Sequence, residues 1–99
     1  MNKSLMTIRG KRHAKHPQII VKTSKTKFGS VTLTHSKGKR RTRNFPLPDN
    51  PDENDTRKAY FSKRIVEDFK FNFTKMYRNY QLSNEDIDVL IKFLEEKKK

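Results

Sequence analysis

The stretch Pro17-Gln18-Ile19-Ile20-Val21-Lys22-Thr23-Ser24-Lys25-Thr26-Lys27-Phe28-Gly29-Ser30-Val31-Thr32-Leu33-Thr34 decides the fold of this chain. Pro17 fixes an extended backbone, and the β-branched Ile19, Ile20, Val21 and Thr23 pack well on a pleated surface. After the short polar break Ser24-Lys25-Thr26-Lys27, residues 28–34 alternate, with Val31 and Leu33 on one face and Thr32 and Thr34 on the other. The two runs predict a β-hairpin. Beyond it, residues 36–42 read as a charged turn, and Arg43-Asn44-Phe45-Pro46-Leu47 as a third strand that its proline restricts to an edge.

Outward from the hairpin, residues 1–15 read as a flexible basic arm, with Leu5, Met6 and Ile8 as a possible short strand, and residues 16–99 as a single domain. Residues 46–57 hold three of the four prolines and four acids and read as a solvated acidic, proline-rich loop. Asp49, Asp52, Glu53 and Asp55 are hard oxygen ligands, but the twelve-residue calcium pattern with glycine at its turn is missing. Residues 58–66 predict a further strand, so that the sheet spans 17–66. The next stretch is ambiguous: Phe61, Ile65, Phe69, Phe73, Met76 and Tyr80 fall near helical spacing, whereas Phe69, Phe71 and Phe73 alternate like a strand. An irregular segment followed by one or two helical turns around residues 73–80 is the preferred reading, and helix throughout is the alternative. The aromatic residues are assigned to the core, because a small domain without tryptophan needs their area inside.

Residues 83–97 carry the clearest helix. Ser83 is an N-cap hydroxyl ahead of Glu85 and Asp86, Ile87, Leu90, Ile91 and Leu94 share one face, and lysines close the end. The fold class is therefore α+β: a small twisted antiparallel sheet or open barrel with a C-terminal amphipathic helix packed on it.

Charge points to the partner. Thirteen Lys and Arg precede Asp49 with no acid among them, while eleven basic and eleven acidic residues follow, so the first half carries the whole net charge of +13. That asymmetry predicts a polyanion, nucleic acid above all, contacted through Lys22, Lys25, Lys27, Lys37, Lys39, Arg40, Arg41 and Arg43. No basic amphipathic helix of the kind that lies on membranes is present, and no apolar run suffices for a membrane span or a secretory signal. With no cysteine to staple or ligate, the expectation is a soluble cytoplasmic protein.

Signatures of metal and cofactor enzymes are missing. His13 and His16 are three apart without a nearby carboxylate, and the three glycines, Gly10, Gly29 and Gly38, form no phosphate or dinucleotide loop, so no cofactor and no metal is expected. Metal-independent RNA cleavage demands only a base near the 2'-hydroxyl, cations around the phosphate and a proton donor. His16 and His35 are the candidate acid and base, and Thr34 and Ser36 supply hydroxyls.

The proline-led strand, the second strand ending in Leu33-Thr34-His35-Ser36-Lys37 and the apolar-acidic C-terminal helix together resemble the MazF, PemK and ToxN type of toxin endoribonucleases. The resemblance covers about residues 17–43; the chain departs by the inserted His35 and by being shorter. It implies an SH3-like barrel, cleavage at Thr34, Ser36 and Lys37, and an antitoxin RNA or protein as partner. The residues themselves leave three functions standing: a toxin-like endoribonuclease, a non-catalytic phage, plasmid or ribosome-associated RNA-binding or other nucleic-acid-binding protein, and a small inhibitor of a nucleic-acid-processing complex.

Overall fold

The computed structural model of the chain describes residues 6–39, 43–52, 54–77 and 79–97. Over these residues it is an α+β protein with an open antiparallel sheet of seven strands and one α-helix. The strands are β1 (Ile8–Lys11), β2 (Gln18–Thr23), β3 (Lys27–Thr34), β4 (Phe45–Pro46), β5 (Tyr60–Phe61), β6 (Val66–Phe69) and β7 (Phe73–Met76); the helix α1 is Asn84–Lys97. The hydrogen-bonded order is β4-β5-β3-β2-β1-β7, with β6 also on β3.

The hairpin forms as its sequence predicts, with Gln18 opposite Thr32, Ile19 opposite Val31 and Ile20 opposite Ser30. The register then shifts between Ile20 and Lys22, a bulge that adds local twist. Three expectations need correction. The segment assigned to a flexible arm contributes β1, because Met6 and Ile8 have a core to enter and Ile8 pairs with Ile19; residues 1–5 lie outside the described residues. The strand expected over 58–66 is broken. Phe61 and Tyr60 pair with Leu33 and Thr34, whereas Val66–Phe69 pairs with the other half of the same β3 edge. Ser62 marks the break: its amide donates to the Thr32 carbonyl (2.9 Å), and its hydroxyl accepts the Thr32 amide (2.8 Å) in place of a backbone oxygen. Finally, the helical turns expected near residues 73–80 give way to strand β7 at Phe73–Met76, so the sheet runs well past residue 66, and among the described residues of that stretch the helical piece is the 3₁₀ turn Lys70–Asn72.

That turn shapes the sheet. In a flat sheet β6 and β7, on the far sides of β3 and β1, would lie four strand spacings apart, about 19 Å. The four Cα steps from Phe69 to Phe73 reach at most about 14 Å. The sheet must therefore curl. The Lys70 amide donates to Thr26 O (3.0 Å) in the hairpin turn, and the Arg12 amide donates to Asn72 O (2.8 Å) beyond β1. Across the curl, Phe28 and Phe73 meet edge to face at 5.3 Å, and Lys11 Nζ lies 3.2 Å from Asp68 Oδ2. On β1, Gly10 faces Thr74 and Tyr77 so closely that a β-carbon would collide with both.

Helix α1 covers one sheet face. Ile87, Leu90, Phe93 and Leu94 pack with Ile19, Val21, Val31, Leu33, Leu47, Ala59 and Phe61, while Ile91 is only partly buried. Ser83 Oγ accepts the Asp86 amide (3.1 Å), the cap that the sequence predicts. The Asp86 carboxylate also interacts with Ser83, in the sense of the reciprocal box. Fully buried, it accepts the Asp49 amide through Oδ1 (2.9 Å), fastening the segment after β4 to the helix, while Oδ2 has no hydrogen-bond partner. Burial, offset by the hydrogen bonds it accepts, raises its pKa above the ordinary carboxylate value. A raised native pKa means that the folded state holds this proton more tightly, so its contribution falls as pH rises from the unfolded pKa through the folded one. Asp86→Asn keeps the Oδ1 acceptor and removes the charge. Relative to the native protein, the variant should gain stability between pH 4 and pH 7, read from urea unfolding at both values. An identical difference at the two pH values would refute a charged, buried Asp86.

Candidate nucleic-acid interface

The residues expected to bind sort into two clusters at opposite ends of β3. At the hairpin end, Lys22, Lys25 and Lys27 surround a turn in which Ser24 Oγ accepts the Lys27 amide (3.1 Å). At the other end lie Lys37, Lys39 and Arg43, all exposed; Arg40 and Arg41 lie outside the described residues. Seven strand rises separate Lys27 from Thr34, about 23 Å. In a molecule measuring 34 × 33 × 26 Å, the two clusters thus lie far apart and do not form one pocket. Only an extended polyanion could reach both.

At the loop end the hydroxyls serve the backbone. Thr34 Oγ1 accepts the Ser36 amide (3.2 Å), Ser36 Oγ accepts the Gly38 amide (3.1 Å), and Asn44 donates to Ser36 O (2.9 Å). Gly38 has φ 80°, a conformation that only glycine adopts without strain. His35 is clamped. Its Nδ1 donates to Lys58 O (3.2 Å), and its Nε2 lies 3.0 Å from Asp55 Oδ2. Asp55 is gripped in turn by Arg57, whose guanidinium and amide both donate to it, and these bonds hold the carboxylate well below its usual pKa. With both ring nitrogens facing acceptor oxygens, His35 ties the β3 loop to the acidic segment. His16 is exposed at the same end: Leu33 N donates to Pro17 O (2.9 Å), and continuing that register sets His16 opposite Thr34. Asp55 was invisible as a His35 partner from the chain alone, being twenty residues away inside a loop read as solvated. Among the described residues, no group of three His, Asp or Glu converges in a way that could hold a metal ion.

The hairpin end holds side chains that sequence reasoning assigned elsewhere. Phe69 is 45% and Phe71 71% exposed, and their rings stack at 5.4 Å with planes 7° apart. Lys27 Nζ sits 5.0 Å from the Phe69 ring centre, Arg9 and Lys70 each lie 5.3 Å from the Phe28 ring centre, and Lys11 lies 5.5 Å from that of Phe73. The signal was present in the alternation Phe69-Lys70-Phe71-Asn72-Phe73. Assigning every aromatic to the core hid it, and here the correction is physical: the 3₁₀ turn rotates Phe71 away from the sheet, leaving Phe73 inside.

The acids that reach this surface are occupied. Glu67 Oε1 lies 3.6 Å from Lys22 Nζ. Asp68, bonded by Asn72 and by the Phe69 amide and paired with Lys11, is held below its ordinary pKa. Among the described residues no helix is long and apolar enough to cross a membrane. No protein-family model, curated protein or solved structure matches the chain, so its own residues carry the functional reading.

Proposed function

We propose that this is a cytoplasmic nucleic-acid-binding protein that holds RNA, in preference to DNA, along its basic half without cutting it. One observation carries the reading: thirteen Lys and Arg precede Asp49 without a single acid. The two acids of β6 are each paired with a lysine, Glu67 with Lys22 and Asp68 with Lys11, and so leave most of that charge uncompensated. RNA is favoured because its loops and ends present the unstacked bases that exposed aromatic rings can receive. A labelled RNA oligonucleotide titrated at increasing salt tests the reading: affinity should fall steeply, and a flat response would remove it.

Cleavage is the second reading, favoured by the His35–Asp55 contact beside Thr34 and Ser36. Against it, a base needs a free nitrogen, and His35 faces an acceptor on each side. Mixed RNA incubated with the protein in EDTA should remain intact. Fragments made by the native protein and not by His35→Ala would establish the toxin-like nuclease instead.

A further inference from the structure

We infer that the stacked pair Phe69–Phe71 is a base-stacking subsite for unpaired nucleotides of single-stranded RNA. The inference deepens the proposed function and rests on it. Leaving two phenylalanines exposed forfeits the stabilisation their burial would bring, and Phe71, at 71% exposure, is the most exposed large apolar side chain described. Its ring already lies parallel to Phe69, so a base added to the open side would extend a stack that exists. Aromatic stacking of this kind accepts any base, because every base has a π-face.

Charge decides between a nucleotide and other occupants. The turn carrying Phe71 is bonded on one side to Thr26, between Lys25 and Lys27, and on the other to Arg12. Lys70 follows Phe69 directly, and Lys27 lies over its ring. The acids on β6, Glu67 and Asp68, are paired with Lys22 and Lys11. A second copy of the chain docked on this patch would bring like charges together, whereas a nucleotide brings a base to the rings and a phosphate to the cations. Duplex RNA keeps its bases stacked inside and has none to offer.

The experiment compares native protein, Phe71→Ala and Phe71→Trp for binding a fluorescein-labelled oligouridylate and an RNA duplex, by anisotropy. Phe71→Ala should weaken oligouridylate binding about 5- to 150-fold, leave the salt slope unchanged and barely alter duplex binding. Phe71→Trp should restore or exceed native affinity. Since Phe71 is exposed, the variants should share the native unfolding midpoint, which guards against misfolding. Equal affinity of Phe71→Ala and native protein for oligouridylate, with salt-dependent binding intact, would overturn the stacking subsite alone. Equal losses on duplex and single strand would do the same, as would a native dimer that Phe71→Ala dissolves while RNA binding is unchanged. If native protein binds neither RNA, the proposed function fails and takes this inference with it.

Discussion

Phe61→Ala should cost about 3 to 5 kcal/mol, read as a lower urea midpoint with an unchanged slope. Phe61 has no solvent exposure and is the largest fully buried side chain among the described residues. It stacks on Phe45 at 5.6 Å and meets Phe93 edge-on at 5.1 Å, while Phe93 also meets Phe45 at 5.6 Å. One ring therefore joins three elements: β4, β5 and α1. Its backbone adds to the junction, since Phe61 pairs with both Leu33 and Phe45. Truncation leaves a cavity that neither a two-residue strand nor a helix anchored elsewhere can readily fill. Domains of this size have about 5 to 15 kcal/mol in total, so the variant should sit near the threshold of folding. Phe69→Ala, which removes the same side chain from a half-exposed site, is the matched control and should change stability far less. A loss below about 1 kcal/mol for Phe61→Ala would mean that the aromatic cluster does not hold α1 to the sheet.

RNA affinity should fall about 300- to 20,000-fold between 50 and 200 mM salt if six to ten phosphates are contacted on a single strand. The supply of cations sets the range. Of the Lys and Arg ahead of Asp49, Lys11 and Lys22 are ion-paired to acids, so they have less to offer phosphate than the exposed Lys25, Lys37, Lys39 and Arg43. Their distribution adds a sharper expectation. Because the two clusters are separated by the length of β3, a charge removed from the loop end, as in Lys37→Ala, and one removed from the hairpin end, as in Lys25→Ala, should each lower the slope by about 0.7. Each loss should be independent of the other, as distant sites behave. A slope that responds only at one end would confine the bound strand to that end.

Much of the architecture was legible in the residues. The β-branched run after Pro17, the alternation up to Thr34 and the capped apolar face beginning at Ser83 are local signals, and each produced the expected element. Where the reading went astray, partners distant in sequence decided. Ile8 becomes a strand because Ile19 offers an edge, and Phe73–Met76 becomes one because β1 offers another, although the spacing from Phe61 to Tyr80 suits a helix equally well. The strand expected over 58–66 breaks at Ser62, whose hydroxyl substitutes for a backbone acceptor, a role that composition does not announce.

The site divides along the same line. Net charge and its confinement to residues before Asp49 are properties of the chain, and they alone carry the proposal of a polyanionic partner. Only tertiary structure decided where cations and aromatic rings come together. Curling of the sheet brings Arg9, Lys11 and Lys70 to Phe28 and Phe73, and the 3₁₀ turn swings Phe71 outward onto Phe69. The acidic segment returns to bind His35 through Asp55. Electrostatic sign survives any folding, because it sums over residues. Stacking surfaces and hydrogen-bonded histidines depend on distances of a few ångströms, and those exist only once the chain has folded back on itself.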